Sequence, residues 1–279
     1  MNDASRTPPR TLILPPKGLP RLELLELWRS RELLLFLVVR DIMVKYKQAF
    51  LGIAWAVLQP LVMMAVFTLF FGILLKVDST RMPYPLFAFA GLLPWTYFSS
   101  ALATSSTSLV ANRLLITKVF FPRMMLPASS VLAALVDLAL SMVVLLALML
   151  YFGVMPSPRL ILLLPFIALA MTCALGCSLW LSAINVKYRD VQYAIPALIQ
   201  IWFFLSPVFY SSQAVPEAFR PVYGLNPMVA VIEGFRWAIT DQPFPEPLMM
   251  TGSILICLVV LVTGSFYFKR AEREIADMV

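Results

Sequence analysis

The sequence predicts an all-α integral membrane protein with six transmembrane helices. Of its 279 residues, 61% are hydrophobic and 13% are charged, whereas soluble domains average about 45–50% apolar and about 25% charged residues. A soluble globule of this size would have to expose much of that apolar surface to water. A helix needs about 20 apolar residues to cross the ~30 Å hydrocarbon core of a bilayer. Six stretches reach this length, at 51–75, 86–110, 128–152, 160–184, 193–211 and 249–268.

The segment before the first stretch is too polar to cross the membrane. Residues 1–20 contain five prolines and no long apolar run, so we expect a disordered tail. Residues 21–47 mix apolar and charged side chains, which predicts an amphipathic helix at the membrane interface. That helix is either a surface anchor or a collar that guides an anionic substrate to a pore. Residues 48–279 then form the six-span transmembrane domain.

The distribution of basic residues predicts the orientation. Of the 22 Lys and Arg residues, 17 lie in the first segment, in the loops after the second and fourth stretches, and in the C-terminal tail. The positive-inside rule therefore places both termini in the cytoplasm. The net charge of +7 suits anionic lipid headgroups, and we expect no nucleic-acid partner.

The rare residues exclude several kinds of catalysis. The chain has no histidine, which excludes Ser-His-Asp and Cys-His mechanisms and His-ligated zinc. Its three cysteines (Cys173, Cys177 and Cys257) lie in apolar runs and give no disulfide framework. The sequence also lacks a Walker A motif, so the chain does not itself hydrolyse ATP by P-loop chemistry. We predict no catalytic, cofactor-binding or metal-binding residues.

The loop after the second stretch is amphipathic. It reads NRLLITKVFFPRMMLP over residues 112–127, with apolar side chains flanked by Arg113, Lys118 and Arg123. Such a patch either docks into the groove of a partner or rests on lipid.

The segment at 212–248 contains a short apolar helix that cannot span. Residues 228–239 follow the helical pattern, and Asn226-Pro227 resembles an N-cap followed by a proline at the first helical position. Twelve residues are too few to cross the bilayer, so we predict a re-entrant helix that dips in from the outer side. Glu233 and Arg236, three positions apart, are predicted to pair on one face. This helix is suited to close a pore exit.

Asp137 is an acid inside the third apolar stretch. It lies about nine residues from the start, which is ~13 Å deep at 1.5 Å per residue. An ionisable group at that depth is a candidate functional residue, including for ion-coupled transport. The structural alternative is a carboxyl group paired with Ser or Thr of a neighbouring helix, for example within residues 104–108.

Aromatic residues are concentrated in two stretches. Around Pro94 they are Phe87, Phe89, Trp95, Tyr97 and Phe98, and in the fifth stretch they are Trp202, Phe203, Phe204, Phe209 and Tyr210. Aromatic faces stack against sugar rings and give a sliding surface, but the same residues also serve core packing and lipid contact.

Four ordered motifs carry a resemblance to a known family. They are RDIMVKYKQAFLGIAWAVLQPL at 40–61, PYPLFAFAGLLPWTYF at 83–98, NRLLITKVFFPRMMLP at 112–127 and NVKYRDVQYAIPALIQIWFFLSPVFY at 185–210. Together they resemble the polysaccharide-export permeases of type-2 ATP-binding-cassette exporters. The similarity extends over residues 21–268, and the Asn226-Pro227 turn follows the fifth stretch as in that family.

The resemblance implies a bacterial inner-membrane permease that moves a glycan outward, and the cargo it leads us to expect is O-antigen on undecaprenyl pyrophosphate. It implies a dimer of this chain with two separate ATPase subunits, which bind ATP and Mg. It also implies an interfacial helix, a cytoplasmic coupling helix and periplasmic gate helices.

The site residues expected by analogy fall into four groups. Contact with the ATPase is expected at Asn112, Arg113, Lys118, Phe120, Phe121 and Arg123. Channel lining is expected at Trp55, Tyr97, Trp202, Phe203, Phe204 and Tyr210. The pyrophosphate is expected to meet Arg40, Lys45 and Lys47, and the gate is expected to contain Glu233 and Arg236.

Several alternatives keep the architecture and change the cargo to capsule, teichoic acid, a small lipid or a drug. A membrane enzyme is disfavoured because the cytoplasmic loops between the predicted spans offer one acid, Asp190, and no histidine. An ion-coupled carrier would depend on Asp137.

Overall fold

The protein is a bundle of α-helices. The computed structural model describes residues 29–47, 52, 54–77, 82–188, 190–240 and 244–278, with side chains as far as Glu272. The predicted tail at 1–20 and the first part of the predicted interfacial helix, 21–28, lie outside the described residues. In the described part, the α-helices are α1 Arg31–Tyr46, α2 Ala54–Phe67, α3 Tyr84–Ala111, α4 Arg113–Lys118, α5 Met125–Ala133, α6 Leu135–Tyr151, α7 Leu163–Lys187, α8 Val191–Phe204, α9 Arg220–Tyr223, α10 Pro227–Ile239 and α11 Pro247–Met278. Short 3₁₀ helices lie at Pro158–Leu162, Ser212–Ala214 and Glu217–Phe219.

Five helical segments in the described part are long and apolar enough to cross a membrane. They are Ala54–Leu74, Tyr84–Ala111, Met125–Tyr151, Pro158–Lys187 and Pro247–Glu272. The first combines α2 with a π-helix at Thr68–Leu74, and the third combines α5 with α6. These segments coincide with five of the six apolar stretches identified in the sequence.

The fifth predicted span differs from the structure. Its helix, α8, has 14 residues and ends at Phe204, so a continuous helix over 193–211 is wrong. Pro207 disfavours a helical conformation at the residue before it. The carbonyl oxygens that follow accept hydrogen bonds from other helices: Val208 O from Arg236 and Phe209 O from Tyr84. These side chains replace the bonds that a continued helix would have made.

Helix α3 forms the centre of the bundle. In its most hydrophobic 18-residue window, 78% of the residues are buried, against 11% in the window of Ala54–Leu74. It packs against α2, α5, α6, α7 and α10. The first candidate span therefore lies at the periphery, with much of its surface left for lipid or a partner.

Helices α7 and α11 approach each other closely because glycines face each other at their crossing. A Cβ added to Gly176 would lie 2.7 Å from the amide nitrogen of Leu261. A Cβ added to Gly264 would lie 2.4 Å from the carbonyl oxygen of Gly176. Small residues at membrane helix crossings allow such backbone contact.

Helix α1 is docked on the end of the bundle. Leu37, 1% exposed, packs in a cluster with Leu109, Phe121 and Phe268. The Ser129 hydroxyl of α5 donates a hydrogen bond of 2.8 Å to Asp41. The opposite face of α1 is apolar and exposed, with Leu35 at 62% and Met43 at 58%. One face thus holds the bundle and the other is suited to a lipid surface.

Candidate functional site

A groove with a row of polar side chains, which we name the polar groove, lies between α1, α8 and the first three candidate spans. It consists of two adjacent cavities of about 720 Å³ and about 610 Å³, and Lys45 and Ser100 line both. Its polar lining is formed by Arg40, Asp41, Lys45, Tyr46, Gln59, Thr96, Ser99, Ser100, Thr104, Ser108, Asn112, Ser130, Asp137 and Ser141. Apolar groups supply most of the exposed wall, among them Trp55 of α2 and Pro196 of α8.

A stripe of hydroxyl groups on α3 runs along this groove. Thr96, Ser100, Thr104 and Ser108 are spaced four apart, which aligns them on one helix face over ~18 Å. Thr104 donates to the carbonyl of Ser100 at 2.8 Å and Ser108 donates to Ser105 at 2.7 Å. Their oxygens keep lone pairs that can accept hydrogen bonds from a ligand. Sequence reasoning missed this hydroxyl stripe, although the spacing of four was a sufficient signal.

Asp137 joins α6 to the end of α1. Its carboxylate forms an ion pair with Lys45 and accepts a hydrogen bond from the hydroxyl of Tyr46. The suggestion that its partner lies within residues 104–108 is wrong, because docking of α1 brings Lys45 and Tyr46 over the first turn of α6. The Asp137 side chain is 16% exposed and that of Lys45 is 42% exposed, so the pair borders the groove.

The cations predicted to meet pyrophosphate are differently placed. Arg40 donates to the adjacent carboxylate of Asp41 at 2.8 Å, and Lys45 pairs with Asp137. Both line the groove, whereas Lys47 is exposed and is absent from the lining of its two cavities. The groove therefore holds two cations that each already have an intramolecular counter-anion.

The six predicted channel aromatics separate into two sets. Trp55 and Phe204 are exposed, at 56% and 54%. Tyr97 and Phe203 are buried in the subunit core, and Phe203 stacks on Phe67 with ring centroids 5.8 Å apart. Phe203 therefore packs inside the subunit, whereas Tyr97, although buried, borders the larger groove cavity. The channel role expected of both stays a prediction.

The remaining two aromatics hold the end of α8. Trp202 donates from its indole nitrogen to the side-chain oxygen of Asn226 at 3.0 Å, and the hydroxyls of Tyr210 and Tyr223 are 2.8 Å apart. These contacts fasten the end of α8 and the turns after it to the α9–α10 region.

The segment expected to contact the ATPase, residues 112–123, is partly exposed and partly buried. Phe120 is fully exposed, whereas Phe121 is 8% exposed and belongs to the cluster around Leu37. Arg123 donates from its guanidinium to the carbonyl of Glu272 at 3.1 Å, and the Asn112 amide donates to Ser108 at 2.8 Å. Phe121 and Arg123 therefore make contacts within the subunit, and their expected contact with the ATPase stays a prediction.

The other two members of this segment lie on its surface. Arg113 and Lys118 are exposed at the two ends of α4. Together with Phe120 they form an exposed surface at the end of the second candidate span.

The short helix near the end of the chain has the predicted form. Helix α10 begins after Asn226, whose side chain accepts a hydrogen bond from the amide of Met228 at 3.0 Å. The predicted pairing of Glu233 with Arg236 is confirmed at 3.2 Å. The pair lines a separate cavity of about 440 Å³, which we name the α10 pocket, and this cavity shares no lining residue with the polar groove.

Arg236 holds three elements together. Its guanidinium donates to the carbonyls of Val208, Tyr210 and Phe87 at 2.7, 3.2 and 3.4 Å. It also lies 3.6 Å from the centroid of the Phe87 ring. Complete burial lowers the pKa of Arg236 below its ordinary value, and the negative charge of Glu233 acts in the opposite direction. Burial likewise raises the pKa of Tyr223, as does its hydrogen bond with Tyr210.

An apolar helical bundle with five candidate spans among the described residues, and with the polar groove along one side, defines a multi-pass membrane protein of the permease type. The chain belongs to the ABC-2 type transporter family, whose model matches residues 32–240. It is 32% identical over 258 residues to the O-antigen export system permease protein RfbA of Myxococcus xanthus, covering 91% of this chain and 98% of that protein. An RfbA protein of Klebsiella pneumoniae is 27% identical, covering 86% of this chain and 94% of the relative. The polysialic acid transport protein KpsM of Escherichia coli is 24% identical, with 85% and 92% coverage.

Proposed function

We propose that this chain is the permease subunit of an exporter that moves a lipid-linked polysaccharide, of the O-antigen class, outward across the bacterial inner membrane. Membership of the ABC-2 family and the names of its relatives support this function. The observation that carries it in the structure is the polar groove with the hydroxyl stripe on α3. Export of an acidic capsular polymer is the second candidate. It is less favoured because the relatives named polysialic acid transport proteins are 24% and 26% identical.

Two copies of the chain enclose the conduit in this proposal. In one subunit the groove is bordered by α2 and α8, which expose large apolar side chains such as Trp55 and Phe204. A hydrated polymer cannot cross hydrocarbon, so the open side of the groove needs a cover. A second copy related by twofold symmetry provides a matching wall. The charge distribution supports cytoplasmic termini, which puts α1 and α4 on the inner side.

Energy comes from a separate ATPase subunit in this proposal. The exposed surface formed by Arg113, Lys118 and Phe120 is suited to dock on it. Phe121, one residue further, packs in the cluster that holds Leu37 of α1. A displacement of the docked segment therefore moves α1, and the Lys45–Asp137 ion pair transmits that motion to α6.

The groove binds the sugar chain and the anionic lipid linker of the cargo through different side chains. The hydroxyls of Thr96, Ser100 and Thr104 offer repeated, similar hydrogen bonds to a neutral sugar chain, so the chain advances without one strong binding step. The anionic linker is attracted by Arg40 and Lys45, where a phosphate oxygen exchanges places with the carboxylates of Asp41 and Asp137. Helix α10, fixed by Glu233 and Arg236, is the proposed gate at the exit.

The experiment is a chromosomal deletion with complementation. Deletion should remove the surface polysaccharide and accumulate its lipid-linked form on the cytoplasmic side, and the plasmid-borne gene should restore display. The ATPase partner should copurify with the chain in detergent. An unchanged surface polysaccharide in the deletion strain contradicts the proposed function.

A further inference from the structure

The α10 pocket is a built cavity separate from the polar groove. Its walls come from the starts of α3 and α11, the turn after α8, and α10. The volume of about 440 Å³ lies within the range of sites that bind small molecules, about 300–1,000 Å³. The polar groove begins further along α3, at Thr96. The pocket is therefore a second site near the opposite end of α3.

The floor of this pocket presents a preorganised acceptor. Glu233 is 9% exposed, and its Oε1 accepts from the amide of Ser212 and from Arg236, each at 3.2 Å. Its other oxygen, Oε2, has no hydrogen-bond partner among the described residues. Because Arg236 is itself fixed by three carbonyls, the carboxylate is held in one orientation before any ligand arrives.

The charges around the pocket are balanced within the protein. Arg236 is paired with Glu233, and Arg220 lies 3.6 Å from Glu246. Both pairs line the cavity. A charged ligand would therefore compete with an existing counter-ion, whereas a neutral hydroxylated ligand only needs hydrogen bonds.

The remaining wall combines aromatic rings with an exposed amide. Trp237 and Phe244 meet nearly at right angles, with an interplanar angle of 87° and centroids 5.0 Å apart, and form an apolar corner. Gln213 is exposed at the rim, and its side chain supplies both a donor and an acceptor. Aromatic faces pack against the C–H faces of a sugar ring while carboxylate and amide groups bind its hydroxyls.

We propose that the α10 pocket binds a neutral sugar unit, with Glu233 Oε2 accepting from ring hydroxyls and Trp237 and Phe244 contacting its apolar face. The choice of a sugar over other neutral polar ligands rests on the proposed export of polysaccharide. The shared chemistry is that of a neutral saccharide, either a segment of the exported chain or a glycolipid headgroup. Each subunit then holds one such site beside the proposed gate helix.

The test is a saturation-binding titration of the full chain in lipid nanodiscs. Binding is measured by calorimetry or by tryptophan fluorescence. The probes are the oligosaccharide repeat released from the host surface polysaccharide, maltotriose as an unrelated neutral sugar, and sialyllactose as an anionic one. We expect saturable binding of a neutral probe and none of sialyllactose. Binding of the repeat alone identifies the exported chain as the source, and binding of both neutral probes indicates a general saccharide site.

The variants locate the site. Glu233→Gln keeps the shape and the Oε1 acceptor but replaces Oε2 by a donor, and Gln213→Ala removes an exposed side chain without disturbing packing. Each should weaken binding about tenfold, the effect of one good hydrogen bond. Glu32→Gln, on an exposed acid of α1 outside the pocket, should bind as the unaltered chain does.

Two results overturn this site. One is the absence of saturable neutral-sugar binding in the unaltered chain, and the other is unchanged affinity in both Glu233→Gln and Gln213→Ala. The binding experiment is independent of export. A deletion strain that loses its surface polysaccharide while the nanodisc protein binds no sugar therefore rejects the pocket and leaves the proposed function standing.

Discussion

Lys45 and Asp137 form an ion pair across 92 positions of sequence. Lys45 lies at the end of α1, and Asp137 lies in the first turn of α6 within the third candidate span. Tyr46 adds a hydrogen bond to the same carboxylate. The acid in the apolar stretch is therefore a fastening point for α1, and this contact makes α1 part of the groove wall.

The first prediction concerns that ion pair. Lys45→Met and Asp137→Asn should each lower the free energy of unfolding. In a double-mutant cycle the coupling energy between them should be only about 1 kcal/mol, because Lys45 is 42% exposed and water and salt screen its charge. The measurement is thermal unfolding of the purified chain in detergent. The charge-swapped pair Lys45→Asp with Asp137→Lys should recover part of the loss.

Strictly additive effects of the two single substitutions would contradict the ion pair. The same variants address ion coupling. Polysaccharide export that persists in Asp137→Asn dismisses a carrier driven through that carboxyl group.

The second prediction separates two adjacent phenylalanines. Phe121→Ala should destabilise the protein by about 3 kcal/mol, since it empties a buried position next to Leu37. Phe120→Ala should leave the unfolding temperature unchanged, because that side chain is fully exposed. It should instead weaken copurification of the ATPase and uncouple ATP hydrolysis from export.

Each substitution is the control of the other, since both remove the same ring one position apart. Equal stability of the two variants would show that Phe121 is not in the core. Full ATPase recovery with Phe120→Ala would remove Phe120 from the docking surface.

Local signals in the sequence explain which parts of the fold were predictable. The start of α10 follows from Asn226-Pro227, and the pairing of Glu233 with Arg236 follows from their spacing of three. The apolar lengths predict five of the candidate spans because hydrophobicity over 20 residues is a property of the segment itself. These features need no knowledge of distant contacts.

Tertiary contacts decide the features that sequence reasoning missed. The partner of Asp137 depends on where α1 docks. Phe120 and Phe121 are the same residue type, but Phe121 packs in the cluster with Leu37 and Phe120 is exposed. The end of α8 at Phe204 depends partly on Pro207, which is visible in the sequence, and partly on Arg236, which captures the carbonyl of Val208. No local sequence pattern predicts such long-range hydrogen bonds.

The third prediction concerns Asn226, which joins α8 to α10. Its side-chain oxygen accepts from Met228 and Trp202, and its amide donates to the carbonyl of Leu205 and the hydroxyl of Ser206, all at 3.0 Å. Asn226→Ala should cost about 3 kcal/mol, from a lost helix cap and further hydrogen bonds. Asn226→Asp keeps both accepted bonds and should lose less.

The control for this comparison is Asn112→Ala. The Asn112 amide donates one described hydrogen bond, to Ser108 at 2.8 Å, so its loss should cost less than about 1.5 kcal/mol. Denaturation of the three variants should rank Asn226→Ala as the least stable. An Asn226→Ala variant as stable as Asn112→Ala would mean that the four contacts do not hold the end of α8.

The last prediction tests the hydroxyl stripe as the surface that carries the polymer. Thr104→Leu replaces an exposed groove hydroxyl by an apolar side chain and should reduce surface polysaccharide severalfold, while expression, unfolding temperature and ATPase copurification stay unchanged. Thr251→Leu is its matched control, because Thr251 is also exposed and also donates to the carbonyl four residues earlier, at 2.9 Å against 2.8 Å for Thr104. Thr251 lies on α11 outside the polar groove. If both substitutions leave export intact, the polymer does not depend on this hydroxyl, whereas a defect confined to Thr104→Leu places the sugar path along α3.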